Sequence, residues 1–279
     1  MRPSIERVRH MDYRERICKC LGHFPDRGEL DPAVVEETDC GTHIRQRVQY
    51  NVEPGERISA YLLLPKNLTG KKPAIIASHQ HGGKYYLGKS EPAGLSQDPM
   101  YHYGLDLCLR GYVVLCPDHL GFEDRRPPEY KRVENRHLDG GNYERLLFCR
   151  YILNGSSLQA KYLSDLISGL DFLLSLPYVD GERIGAAGHS LGGQETLWLA
   201  WYDERIKAAV ASCGFSQIGS IIREGINHNF AMFCPGFLEH GDIGDLLCDL
   251  APKPFLMSNG SKDAIFPLDG VRDIAKAAR

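Results

Sequence analysis

The 279-residue chain lacks any apolar run long enough to cross a membrane. A helix that spans a bilayer needs about 20 consecutive, mainly apolar residues, whereas the apolar stretches of this chain are only a few residues long. Residues 1–7 also lack the hydrophobic stretch of a secretory signal peptide. The sequence therefore predicts neither a membrane span nor a secretion signal.

An excess of either charge is missing as well, because the net charge at pH 7 is −3. Nucleic acids and anionic membranes bind proteins through strongly basic surfaces, so this composition argues against both as partners. The hydrophobic share of 43% and the charged share of 25% are typical of a globular protein.

The chain has nine cysteines, an odd number, whereas a disulfide framework needs an even number. Cys108, Cys116 and Cys213 fall inside predicted strands and helices, so we interpret the cysteines as reduced, buried thiols of a cytoplasmic protein. Cys18 and Cys20 are too close together for a zinc knuckle, and no second pair faces them. The sequence predicts no metal site.

The apolar pattern divides the chain into two regions. Residues 1–40 are polar with helical stretches around 5–11 and 13–21, which indicates an N-terminal helical extension. In residues 41–279, alternating apolar residues on both sides of residues 53–56 predict an antiparallel hairpin. Five unbroken apolar runs then alternate with helical segments, which predicts an α/β fold with a mostly parallel, twisted sheet and helices on both faces. These runs lie at 73–78, 112–116, 184–187, 208–212 and 254–258.

One long segment, residues 119–156, is rich in charge and proline. Its charges alternate in sign, which is typical of a solvated loop. It also leaves the carboxyl end of a predicted strand, where sites form in open α/β sheets. The alternative to a plain loop is therefore an insertion that shapes a substrate pocket.

The most informative motif is Gly188-His189-Ser190-Leu191-Gly192. It lies between a predicted strand and a predicted helix, which is the setting of a nucleophile elbow, a turn with little room for side chains beside the serine. A phosphate-binding loop is the alternative, but the lysine of a P-loop is missing. Ser190 is therefore the predicted nucleophile.

A serine nucleophile needs hydrogen-bond donors for the oxyanion that forms on attack at a carbonyl. The backbone N–H of Leu191, at the start of the predicted helix, is the first candidate. The second should come from the loop Ser78-His79-Gln80-His81-Gly82-Gly83, where Gln80 and His81 are both candidates. We expect the histidines of this loop to pack and hydrogen-bond beneath the site rather than to act as bases.

Asp263 is the predicted acid that orients the general base. It follows the last predicted strand, on the turn formed by residues 259–267, and a serine that precedes its acid along the chain is one of the known triad orders. Its alternative role is to cap the helix that begins near Leu268.

Six short segments now point to a family: residues 79–83, 117–121, 179–185, 188–193, 251–254 and 260–267. Together they resemble the α/β-hydrolase superfamily, and more closely its dienelactone-hydrolase-like and acetyl-xylan-esterase-like branch, over residues 48–278. The resemblance implies an enzyme that acts on small or carbohydrate esters without a metal or organic cofactor. It also implies Ser190 as nucleophile, Asp263 as triad acid and Asp118 as a structural aspartate. Serine instead of cysteine at position 190 points away from dienelactone hydrolysis itself.

The histidine of such a triad is missing from its expected place. In the resembling family it follows an eighth strand some tens of residues beyond the acid, but no histidine follows Asp263 here. We expect the sequence given to be shortened before that strand and that histidine. The alternative bases are His228 and His240, whereas the ring of His189 should point away from the serine.

The leading interpretation is a serine hydrolase that cleaves a small-molecule carboxylic ester through an acyl-serine intermediate. A non-catalytic binding protein of the same fold is the alternative, because no base is in place. A peptidase of the prolyl oligopeptidase type is disfavoured, because 40 polar residues cannot form the propeller of those enzymes. A sheet that ends at its seventh strand would leave backbone groups unpaired at that edge, which predicts a homo-oligomer.

Overall fold

Helices and strands make up most of the region that the computed structural model describes, namely residues 5–66, 68–127, 138 and 140–278. The strands are β1 (Ala33–Asp39), β2 (His43–Glu53), β3 (Glu56–Pro65), β4 (Lys72–Ser78), β5 (Val113–Pro117), β6 (Val179–His189), β7 (Ile206–Ser212) and β8 (Phe255–Ser258). The helices are α1 (Ile5–Leu21), α2 (Tyr103–Leu109), α3 (Gly140–Leu153), α4 (Leu158–Ser175), α5 (Leu191–Tyr202), α6 (Ile218–Arg223), α7 (Ile243–Asp249) and α8 (Leu268–Ala277). In this part of the chain, no helix is both long and apolar enough to span a bilayer.

The strands form one mixed sheet in the order β1-β2-β3-β5-β4-β6-β7-β8. The last five strands of this order run parallel, whereas β1, β2 and β3 are antiparallel to their neighbours, and β2 and β3 form the predicted hairpin. The chain moves from β4 to β5 on one side and later returns to β6 on the other side of β4. The loops after β4 and β6 therefore diverge at the carboxyl edge, and such a switch point is where α/β sheets bind ligands.

The central parallel strand β5 buries both of its faces, which explains its unbroken apolar sequence. Val113 and Leu115 face the large core, in which α4 and α5 pack against the sheet and against each other. Val114 and Cys116 face a smaller core beneath α2, which contains Cys108. Burial of each large apolar side chain contributes about 1.5–3 kcal/mol. The predicted α/β-hydrolase fold, with its mostly parallel sheet and helices on both faces, is confirmed.

The N-terminal region contains a strand that the sequence pattern does not predict. Helix α1 accounts for the helical part of residues 1–40, but Ala33–Asp39 forms β1 and pairs with β2 at the edge of the sheet. Six of the seven residues of β1 are exposed. An edge strand with two exposed faces has no apolar alternation, so its sequence resembles a polar loop. The described sheet therefore has eight strands, and β1 is its edge strand beside β2.

The charged stretch after β5 is not a solvated loop, which corrects the prediction for its first part. Lys89, whose side chain is 1% exposed, contacts the carboxylates of Asp118 and Glu123 at 2.7 Å each. Arg125 donates to Asp165 of α4 at 2.8 Å. Loss of one partner of such a buried ion pair costs about 3–5 kcal/mol, so the start of the segment is fixed to the sheet and to α4. Residues 128–137 lie outside the described residues.

Candidate active site

Ser190 occupies the turn between β6 and α5, at the carboxyl edge of the sheet. Its φ is 53° and its ψ is −119°, a backbone conformation that costs about 1–3 kcal/mol for a residue other than glycine. The turn is held by the Ser190 N–H, which donates to the Ser212 carbonyl at 2.9 Å, and by the Gln194 N–H, which donates to the Ser190 carbonyl at 3.0 Å. Ser190 is half-buried. This is the strand-turn-helix setting in which the sequence predicts it.

The two glycines of the motif are required by the space around the turn. A Cβ at Gly188 would lie 2.1 Å from the carbonyl oxygen of Gly192, and a Cβ at Gly192 would lie 1.9 Å from that of Ser78. Both distances are far below van der Waals contact. The turn after β6 therefore lies directly against the end of β4, which brings Ser190 beside the loop that contains Gln80 and His81.

Three backbone N–H groups near Ser190 have no internal acceptor. Those of Gln80, His81 and Leu191 donate no hydrogen bond to any residue within the described ranges. Leu191 is the first residue of α5, so its N–H lies at the positive end of the helix dipole. Gly82 and Gly83 turn the loop after β4 with φ values of 52° and 67°.

The first histidine of that loop is a structural group. His79 is fully buried, its Nδ1 donates to the Gln80 carbonyl at 2.8 Å, and its Nε2 accepts from the His119 N–H at 3.1 Å. Burial lowers the pKa of His79 to about 4, so its imidazole is neutral at physiological pH. His119, which is also fully buried, packs its ring against those of His79 and Tyr162. Neither histidine lines the cleft described below.

Asp263 follows β8 and shapes its turn. Its Oδ1 accepts from the N–H groups of Ile265 and Phe266 at 2.9 and 3.1 Å. The capping role considered for Asp263 therefore exists, but it belongs to the turn before α8 and uses one oxygen. Its Oδ2 accepts no hydrogen bond from the described residues, so one oxygen remains for another partner.

These side chains meet in one cleft of about 410 Å³ at the switch point of the sheet. Ser190, Asp263, Gln80 and His81 all line it. Helix α3 contributes Gly141 and Glu144, so the segment 119–156 forms part of its wall. The segment between β7 and β8 contributes a further part of the wall, chiefly Asn227, His228, Asn229 and Phe230.

No triad is assembled among the residues that the structure describes, because none of their imidazoles hydrogen-bonds to Ser190 or Asp263. His189 and His228 line the cleft, whereas His240 does not. Nδ1 of His189 lies 3.1 Å from Ser212 Oγ, so Ser212 and not Ser190 is the partner of this nitrogen. His228 packs on the Phe266 ring.

Burial keeps the imidazoles of His189 and His228 neutral at physiological pH. It lowers the pKa of His189, and the negative charge of Asp263 opposes this effect. Burial also lowers the pKa of His228, to about 4, and the negative charge of Asp263 again opposes this effect. The Asp263 charge therefore acts on both rings, and each can accept a proton only as a weak base.

Two lining residues differ from the sequence prediction or were missed by it. Cys213 is not a buried strand thiol, because it follows β7, is half-buried, has a φ of 46° and lines the cleft. All nine cysteines are free. Glu144 was not predicted at all, although its spacing from Leu147 and Tyr151 places it on the apolar face of α3. Within the described ranges, no cluster of three or more His, Cys, Asp or Glu side chains could hold a metal ion.

Comparison with known proteins gives one family match and several relatives. The model of the prolyl oligopeptidase family matches residues 156–224, which include Ser190 and less than half of the chain. The protein YtaP of Bacillus subtilis (strain 168), provisionally named a hydrolase, is 30% identical over 266 residues. This match covers 94% of the present chain and 84% of YtaP.

Two solved structures share the fold. A protein of Bacteroides fragilis NCTC 9343, provisionally named an acetyl xylan esterase, matches with a TM-score of 0.77 and 19% identity, over 96% of this chain and 71% of that one. A glucuronoyl esterase from Solibacter usitatus matches with a TM-score of 0.68 and 15% identity, over 96% and 78% of the two chains.

Proposed function

The chain belongs to the α/β-hydrolase superfamily, and on that premise we propose that it is a serine esterase of the acetyl-xylan-esterase-like branch. The observation that carries the proposal is the position of Ser190, half-buried on a strained turn among N–H groups without internal acceptors. Acyl transfer requires a nucleophilic hydroxyl and, beside it, N–H groups that can donate to the oxyanion.

The proposed reaction has two halves. The Ser190 oxygen attacks the ester carbonyl carbon and its proton passes to a base, for which the cleft offers the neutral rings of His189 and His228. The oxyanion accepts from the N–H of Leu191 and from that of Gln80 or His81. The alcohol leaves with a proton as the carbonyl re-forms, and water then releases the acid from the acyl-serine. Asp263 orients the base.

We propose small or carbohydrate esters as substrates. The named activities of the two structural relatives are both carbohydrate esterase activities. In this chain Asn227, Phe230 and Phe266 line the cleft, which suits an ester with a hydroxyl-bearing alcohol. The nine free thiols support the further proposal that the enzyme acts in the reducing cytoplasm.

Covalent labelling of Ser190 tests the proposal. A fluorophosphonate should add to Ser190, found as a mass shift of its tryptic peptide, and p-nitrophenyl acetate should be hydrolysed. The Ser190→Ala variant should lose both reactions. A folded wild-type protein without an adduct at Ser190 would contradict the assignment.

A non-catalytic binding protein is the second candidate, favoured by the absence of an imidazole bonded to Ser190 within the described residues. The same assays separate the two candidates, since a binding protein would bind an ester or its alcohol without turnover and without covalent labelling. Without an engaged base, an oxyanion hole alone retains roughly 10³–10⁴-fold catalysis over water. Slow turnover that depends on Ser190 would therefore favour the enzyme.

A further inference from the structure

Glu144, on α3, connects two walls of the cleft. Its side chain is 4% exposed, and its carboxylate accepts three hydrogen bonds. Oε2 accepts from the Tyr85 hydroxyl at 2.6 Å and from His81 Nε2 at 2.9 Å. Oε1 accepts from the Phe230 N–H at 2.9 Å. Tyr85 and His81 belong to the loop after β4, whereas Phe230 belongs to the segment between β7 and β8.

The bond to Glu144 fixes the orientation of the His81 ring. His81 Nδ1 accepts from the Gly83 N–H at 3.0 Å, so a neutral ring has its proton on Nε2 and donates it to Glu144. The ring also packs edge-on against Tyr85 and Phe122, with centroid distances of 4.9 and 5.2 Å. Because both ring nitrogens are engaged, the ring cannot turn without breaking a hydrogen bond, and it holds the backbone on both sides of Gly82.

The electrostatics of Glu144 agree with this arrangement. Burial works to raise the pKa of its carboxyl, but the hydrogen bonds from His81, Tyr85 and Phe230 outweigh that effect and lower the pKa. The carboxylate is therefore ionised at neutral pH, and hydrogen bonds to an ionised acceptor are about twice as strong as neutral ones.

We propose that Glu144 is a positioning residue for the oxyanion donors of Ser190, acting through the side chain of His81. The inference rests on the proposed function, because it assigns Glu144 to the loop that supplies the Gln80 or His81 N–H. Oxyanion donors contribute only when they are held at the place where charge develops. The Glu144 carboxylate contacts the His81 side chain and makes no hydrogen bond to Ser190.

Two variants break this link in different ways. Glu144→Gln keeps the shape but replaces one acceptor oxygen by a donor, so in either orientation its NH₂ group faces a donor, Phe230 N–H or His81 Nε2–H. His81→Asn keeps an acceptor for the Gly83 N–H but is too short to reach Glu144. Tyr85→Phe removes one bond and leaves the His81 contact intact. Glu182→Gln, exposed at the opposite end of β6, is the matched control.

The kinetic test separates positioning from binding. Glu144→Gln and His81→Asn should each lower kcat by roughly 10- to 100-fold, the range for loss of a hydrogen bond that orients a functional group. KM should change less than about twofold. In Tyr85→Phe, kcat should fall by less than about threefold, and the kcat of Glu182→Gln should match that of the wild type. A merely structural role would lower the fraction of folded enzyme, seen by circular dichroism and by the yield of fluorophosphonate adduct, and leave kcat per labelled site unchanged.

A second measurement does not depend on activity. In ¹⁵N-labelled wild-type protein, His81 should show a protonated Nε2 and an unprotonated Nδ1, and Glu144→Gln should shift these signals. The inference about Glu144 would be wrong if the His81 signals stayed unchanged in Glu144→Gln. It would also be wrong if the wild type were active and both variants, Glu144→Gln and His81→Asn, kept kcat within twofold. Either result would leave the proposed function standing. A wild type that neither cleaves esters nor reacts with fluorophosphonate contradicts the proposed function, and the inference with it.

Discussion

Gly192 packs so tightly against Ser78 that a Cβ on the glycine would lie 1.9 Å from the Ser78 carbonyl oxygen. This contact joins the turn that presents Ser190 to the end of the strand that leads into the loop of Gln80 and His81. Two parts of the candidate site that are distant along the chain are therefore positioned by one backbone contact.

The Gly192→Ala variant should lose both stability and activity. The methyl group can be accommodated only if the two turns move apart, and overpacking of this kind costs about 1–3 kcal/mol. Urea unfolding should show that loss, and turnover of p-nitrophenyl acetate should fall with it. Gly28→Ala is the control, since its Cβ would make only ordinary contacts from 3.4 Å and should change stability by less than about 0.5 kcal/mol.

The Asp263→Asn variant should separate the two roles of this side chain. The asparagine Oδ1 can still accept from the Ile265 and Phe266 N–H groups, so stability should stay close to that of the wild type. The negative charge that acts on His189 and His228 is lost, and turnover should fall by roughly 10³–10⁴-fold if Asp263 orients the base. Asp263→Ala should lose the same activity and, in addition, about 1 kcal/mol of stability. Equal turnover in wild type and Asp263→Asn would remove Asp263 from the mechanism.

Stability should fall in mild acid because of His79. Its folded-state pKa is lowered to about 4 by burial, whereas an unfolded histidine titrates near 6.5. Between these two pH values the unfolded chain binds the proton more readily than the folded chain. The stability that the neutral, buried His79 ring contributes is therefore complete above pH 6.5 and is lost as the pH falls toward 4. Urea unfolding at pH 7, 6 and 5 should show it, at up to about 1.4 kcal/mol per pH unit. A His79→Gln variant should have a shallower dependence, and identical slopes would contradict this explanation.

The features that the sequence predicted correctly depend on local pattern. The glycine spacing around Ser190 and the apolar run of β6 encode a strand, a tight turn and a helix within a few residues, and the fold follows from several such runs in succession. The position of Asp263 on the turn after β8 was predictable for the same reason, since it closely follows the apolar run of that strand.

What the sequence did not predict depends on contacts between distant residues or on the absence of burial. Strand β1 is exposed on both faces, so its sequence lacks the apolar alternation that would identify it as a strand. Arg125 pairs with Asp165, 40 residues away, and a charge pattern alone cannot distinguish such a buried pair from a solvated loop. Glu144 becomes recognisable only when α3 is in place and its apolar face turns toward the cleft.

Strand β8 leads to the last prediction, which is self-association. Within the described residues β8 pairs only with β7, so its outer backbone groups are open to another strand. Leu256 on β8 is 60% exposed and Val210 on β7 is 41% exposed, which adds apolar surface beside that edge. Such edges favour pairing between chains, and lysine on an edge strand opposes it. Light scattering at tens of micromolar protein should show a dimer or larger assembly that Leu256→Lys weakens, whereas Leu153→Lys, a change at an 85% exposed leucine on α3, should leave it intact. A monomeric wild type at that concentration would show that this edge does not recruit a second copy.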